Sequence, residues 1–232
     1  MSTINPERYT RQTGLPEIGP EGQCRLHAAH ILVVGAGGLG APVCLYLTGA
    51  GVGHLGIVDD DTVGISNLHR QVLYTEAEVG MPKAEQAARR LHALNSDTEV
   101  TAYTCRLTAD NAADIINAYD LVIDCCDNYE TRYLLSDITA ATGKPYIYGA
   151  VRGFEGQVSV FNVGPSPVKY RDLYPSQPPS PTDKSIVGMT AGVVGCMMAH
   201  EAMKLICGYG PTLAGRLWTI DLRTMQSLTL SL

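Results

Sequence analysis

The chain has 232 residues, 45% of them hydrophobic and 17% charged, which is enough apolar material for one sizeable core and rules out a chain disordered by composition. Its 23 acidic against 17 basic side chains leave a net charge of −6, and that balance argues against sequence-independent nucleic-acid binding, which needs a basic surface. Seven scattered cysteines (24, 44, 105, 125, 126, 196 and 207) include no C-x-x-C pair, so neither a disulfide framework nor a local zinc site is encoded, and a reducing cytoplasmic setting is expected.

In chain order, residues 5 to 12 carry two arginines, Arg8 and Arg11, ahead of the first strand, and on their own read as a charged, fraying terminus. The first seven residues lack the basic-then-apolar layout of a secretory signal. Ile31–Val34 reads as a buried parallel strand ending in Gly35-Ala-Gly37-Gly38-Leu-Gly40, a G-x-G-x-x-G turn that opens a helix. Gly35 permits the turn, Gly37 lets backbone N–H groups approach an anionic oxygen, and Gly40 lets the helix pack close. The stretch 31 to 58 holds no Asp, Glu, Lys or Arg. Its glycines and Pro42 divide it into strand, turn and helix, so a membrane span is not expected.

A second apolar run, Leu55–Val58, ends in Asp59, at the distance where a nucleotide-binding acid meets ribose. Asp59 and Asp61, Asn67, Arg70 and Gln71 follow, beyond the carboxyl end of that strand, where open α/β sheets bind ligands. A dinucleotide dehydrogenase has no need of such a cluster. Lys83 sits just after Pro82 at the start of a helix whose Ala84, Ala87, Ala88, Leu91 and Leu94 recur at helical spacing, an electrostatically poor place for a cation unless an anion is near. A strand at 98 to 104, a short helix at 110 to 118 and a buried strand at 120 to 124 come next. The last of these ends in Cys125-Cys126-Asp127-Asn128, with a helix after it. The cysteines read as packing residues. A strand at 145 to 151 and an alternating, antiparallel strand at 156 to 161 close the α/β wrap. Residues 164 to 183 are rich in proline, 187 to 207 read as a tightly packed helix ending at Gly208, and 216 to 221 with 225 to 230 as a closing pair of strands.

The segments VVGAGGLG, VDDDTVGISNLHRQ, GMPKAE, DCCDN and RYTRQ together resemble the E1-like adenylyltransferases related to MoeB, ThiF and HesA, over nearly the whole chain and in the right order. That resemblance implies a single α/β domain over 1–232, with a Rossmann-like, doubly wound and mostly parallel sheet and antiparallel strands at its C-terminal end. It also implies an N-terminal arm (1–28) and a crossover loop (164–185) lying over the carrier's tail. The implied activity is ATP-dependent adenylation of the C-terminal carboxylate of a ubiquitin-like sulfur-carrier protein ending in Gly-Gly, with sulfur from a separate donor. The implied site has Arg70, Lys83, Asp127 and the partner subunit's Arg11 as catalytic groups in a homodimer. Gly35, Gly37, Gly38, Gly40, Asp59, Asp61, Asn67, Gln71 and Asn128 hold the nucleotide with them, and Asp127 holds Mg²⁺.

Two departures from the family pattern matter. Many relatives bind zinc through two C-x-x-C pairs, but Lys169 and Asp172 stand where the first pair is expected, so no zinc is expected and a charge pair takes its place. The cysteine some relatives use for covalent transfer has no counterpart near Pro181-Thr182. Competing readings are an NAD-dependent oxidoreductase, an ATP-dependent enzyme cyclising a carboxylate on a modified tRNA base, and a non-catalytic binding module.

Overall fold

The computed structural model describes residues 5–179, 183 and 185–232. Residues 1–4 of the expected arm, and 180–182 and 184 of the expected crossover loop, Pro181 and Thr182 among them, lie outside the described residues. The helices and strands are α1 (Thr10–Thr13), α2 (Gly19–Ala28), β1 (His30–Val34), α3 (Gly40–Ala50), β2 (His54–Val58), α4 (Lys83–Leu94), β3 (Glu99–Tyr103), α5 (Ala112–Asn117), β4 (Leu121–Asp124), α6 (Tyr129–Thr142), β5 (Tyr146–Arg152), β6 (Glu155–Phe161), α7 (Tyr170–Leu173), α8 (Gly188–Cys207), β7 (Arg216–Asp221) and β8 (Gln226–Ser231). Every strand read from the sequence is present within a residue or two. The arm is partly helical, which its polar sequence did not announce.

All eight strands form one sheet in the order β3-β2-β1-β4-β5-β6-β7-β8. β3 through β5 run parallel, while β6, β7 and β8 are antiparallel to their neighbours. The alternation within β1 explains the layering. Ile31 and Val33 point to one face, where α3, α4 and α8 contribute Val43, Leu47, Ala87, Val194 and Met198, and Leu32 and Val34 point to the other, where α5 and α6 contribute Ile116 and Leu135. Burial on both faces is what a continuous apolar strand requires. The strand order reverses at β1, between β2 and β4, so a crevice opens outside the carboxyl ends of β1 and β4. Among the described residues, no helix is long and apolar enough to cross a membrane.

Candidate active site

A crevice of about 780 Å³ lies at this reversal point. Of the residues the sequence singled out, Gly37, Gly38, Asp59, Asp61, Asn67, Arg70, Gln71, Lys83, Asp127 and Asn128 line it. Gly35 and Gly40 lie behind them and shape the turn. Gly35 has φ +95°, and a Cβ there would stand 2.7 Å from the Cys125 carbonyl oxygen; a Cβ on Gly40 would stand 2.0 Å from the Gly35 carbonyl oxygen. These two glycines therefore close strand onto helix, whereas Gly37 leaves its open side toward the crevice, with Gln71 Nε2 its nearest neighbour at 3.4 Å. No side chain caps α3; within its first turn the Ala41 N–H donates to the Gly37 carbonyl at 2.9 Å and Pro42 has none, so an anion is left the amides of the glycine turn that precedes the helix.

The acid after β2 braces this turn. One Asp59 carboxylate oxygen accepts the Ala36 N–H at 2.7 Å and the other the Asp61 N–H at 2.9 Å. Burial pushes the Asp59 carboxyl above its ordinary range, and those two N–H groups and the Lys83 charge pull the other way. Lys83 is the first residue of α4, and its side chain is 6% exposed. The anion its position called for is Asp61, which is 72% exposed: the carboxylate accepts from Lys83 Nζ at 2.9 Å, and the Asp61 carbonyl accepts the Lys83 N–H, also at 2.9 Å. Arg70 is half-buried, with Nη1 donating to the Ser66 carbonyl at 3.0 Å. Asn67 Oδ1 accepts the Gly64 N–H at 3.1 Å. The Gln71 side-chain oxygen is buried and has no hydrogen-bond partner among the described residues.

The β4 end separates two aspartates with different work. Asp124 is fully buried and holds four donors. Its Oδ2 accepts from Arg132 Nε at 2.8 Å and the Tyr146 hydroxyl at 2.6 Å, and its Oδ1 from the Cys126 N–H at 3.0 Å and Sγ at 2.7 Å. Arg132 also donates to the carbonyls of Cys126 and Gly149 and lies 4.8 Å over the Tyr148 ring. Asp127, three residues on, is exposed at the crevice. The side chain of Asn128 caps α6, accepting the Thr131 N–H at 2.9 Å. Burial pushes the thiols of Cys125 and Cys126 well above their ordinary range, so neither is a thiolate at neutral pH.

The far wall was not foreseen. Tyr148, Gln157 and Tyr174 line it, together with Arg152, Glu155 and Asp221. The available signal was a glutamine set among buried positions in β6. Tyr170, 2% exposed, anchors the chain leading into the proline-rich segment through ring contacts with Tyr133, Tyr148 and Tyr174 at 5.0–5.3 Å. Arg171 adds an ion pair with Asp137, Nη2 to Oδ2 at 2.7 Å. The expected Lys169–Asp172 charge pair takes another form: the Asp172 carboxylate accepts the Lys169 backbone N–H at 2.8 Å and starts α7. Arg11 is exposed on α1 and does not line the crevice of its own chain.

The fold is shared with E. coli MccB crystallised with ATP (TM-score 0.86, 21% identity, 98% of this chain and 72% of that one) and with PaaA (TM-score 0.85, 22% identity, 100% and 74%). Among curated proteins, the sulfur carrier protein adenylyltransferase of Thermus thermophilus is 49% identical over 227 residues, covering 93% of this chain and 83% of the relative. The adenylyltransferase and sulfurtransferase MOCS3 of Bos taurus is 47% identical over 226 residues, and the chain spans 50% of that protein's length. The ThiF family model matches residues 9–232, and with these relatives it shows that the chain belongs to the ThiF family.

Proposed function

We propose that the chain is a nucleotidyltransferase that adenylates the C-terminal carboxylate of a ubiquitin-like sulfur-carrier protein ending in Gly-Gly, giving acyl-adenylate and pyrophosphate, with sulfur delivered by a separate donor. It acts as one ThiF-type adenylation domain over 1–232, in a homodimer, with 164–185 crossing over the carrier's tail. The observation that carries this reading is the convergence, in one crevice, of an uncapped helix N-terminus, the buried Lys83 ammonium and Asp127, with room beyond them for a second substrate.

The residues fit the nucleotide. Phosphates suit Lys83 and the amides of the glycine turn ahead of α3, and the Gln71 oxygen, without a partner among the described residues, suits a donor such as a ribose hydroxyl or the adenine amine. Mg²⁺ would be held through the Asp127 carboxylate, the kind of oxygen ligand a hard cation takes, and would supply charge neutralisation on the polyphosphate.

A terminal carboxylate, with a pKa of about 3.5, is ionised at neutral pH and needs no general base. Its oxygen attacks the α-phosphorus, a new P–O bond forms, and the bond to the bridging oxygen breaks as pyrophosphate departs. The barrier lies in bringing two anions together. Lys83, Arg70 and Arg11 of the partner subunit offset that charge, the glycine turn and Asp59 orient the nucleotide, and Asn67 and Asn128 line its approach. No enzyme thiol takes part.

The test is carrier-dependent exchange of labelled pyrophosphate into ATP. Exchange that requires both Mg²⁺ and the carrier supports the proposal; binding of a nicotinamide dinucleotide with no ATP binding would overturn it.

A further inference from the structure

The residues expected to hold the nucleotide occupy one end of the crevice. Past Arg132 the wall passes to the antiparallel part of the sheet, and there Gln157 of β6 presents a half-buried carboxamide. Its Nε2 donates to the Tyr148 hydroxyl at 2.7 Å and to the Tyr174 hydroxyl at 3.1 Å, so both amide protons are used. Its Oε1 has one long contact, 3.4 Å from the Tyr174 hydroxyl, and keeps acceptor capacity. The two tyrosines are themselves held. Tyr148 is buried under the Arg132 guanidinium, while Tyr174 gives its carbonyl to the Tyr133 hydroxyl at 2.9 Å and its ring to Tyr170. The two hydroxyls hold the carboxamide at this place on the wall, and in this orientation its oxygen keeps room for one more donor.

Resting on the adenylation reading above, we propose that Gln157 determines specificity for the carrier's tail by accepting a hydrogen bond from a peptide N–H of the terminal diglycine. An uncharged acceptor is suited to this, because it can hold the last peptide units without repelling the carboxylate beside them. Tyrosine rings line the same wall, and glycine is the residue whose backbone can approach rings most closely.

The test uses the full chain with MgATP and the ubiquitin-like Gly-Gly proteins of the same cell. Each carrier is prepared by ligation with an ordinary tail, or with the last or the penultimate glycine N-methylated. In pyrophosphate exchange, one of the two methylations raises the wild-type KM for the carrier by about tenfold, and Gln157→Leu raises it by a similar factor. In Gln157→Leu that methylation adds no further loss, and KM for ATP stays at the wild-type value throughout. A variant with unchanged carrier KM, or methylation losses equal in wild type and variant, overturns the contact while the adenylation reading stands. Absence of exchange by wild-type protein with every carrier overturns the adenylation reading and the contact together.

Discussion

Replacing Asp124 with asparagine separates folding from chemistry at the β4 end. The substitution keeps shape and one acceptor oxygen but removes the charge that Arg132 meets at 2.8 Å, with Asp124 0% and Arg132 8% exposed. It also leaves Tyr146 and Cys126 competing for what remains of four donor contacts. Breaking a buried pair by removing one partner costs about 3–5 kcal/mol, because the remaining charge stays desolvated. At this chain length each kcal/mol moves the thermal midpoint by about 2–4 °C, so Asp124→Asn should melt roughly 6–20 °C below wild type. Urea unfolding followed by circular dichroism checks the free energy directly, through a lower midpoint at an unchanged slope. The matched control is Asp127→Asn, which sits at an exposed position and should stay within about 1 kcal/mol of wild type while losing carrier-dependent exchange. A loss below about 1 kcal/mol in Asp124→Asn would refute the claim that this pair is a structural tie.

Two neighbouring glycines should part in the same way. Gly40→Ala drives a Cβ to 2.0 Å from a backbone oxygen and should cost stability by about 1–3 kcal/mol or more in urea unfolding. Gly37→Ala meets its nearest atom at 3.4 Å and should melt like wild type but bind ATP more weakly in calorimetry. Iodoacetamide at pH 8 should label exposed Cys24 first and leave Cys44, Cys125, Cys126 and Cys207 unmodified until the chain is unfolded. Burial raises the Cys44 thiol to about 12, so at pH 8 it is protonated as well as covered; rapid native labelling of Cys125 or Cys126, read by mass spectrometry, contradicts this. Arg11→Ala and Lys83→Ala should each lose exchange activity while remaining dimeric. Mixed together, they should regain part of it, because one composite site in each mixed dimer is intact, and no recovery after subunit exchange would show that Arg11 does not act across the dimer.

Much of this architecture could be read from the residues because local and global preferences agree. The apolar run ending at Gly35, the acid after the second strand and the proline before Lys83 each encode both an element and its direction. Less legible was everything that depends on partners distant in sequence. Lys83 looked like a cation in need of an anion, yet nothing local named Asp61 as the group that holds it. Asp124 and Asp127 both read as strand-end acids, and only the approach of Arg132 from α6 and Tyr146 from β5 assigns one to the interior. Gly35 and Gly40 read as turn and close-packing glycines from the motif alone, but what Gly35 packs against, the Cys125 carbonyl just past β4, was not legible there. The Tyr148–Gln157–Tyr174 wall joins three segments whose patterns are ordinary strand and turn.

The contact between Lys83 and Asp61 bears on which ions can compete at this cleft. An incoming anion must take the ammonium from a carboxylate 2.9 Å away, or share it. Chloride or acetate, with a single charge, exchanges one such neighbour for another and gains little. On the proposed reading, a polyphosphate would meet the amides of the glycine turn together with Lys83 and Arg70, an exchange that a single small charge does not offer.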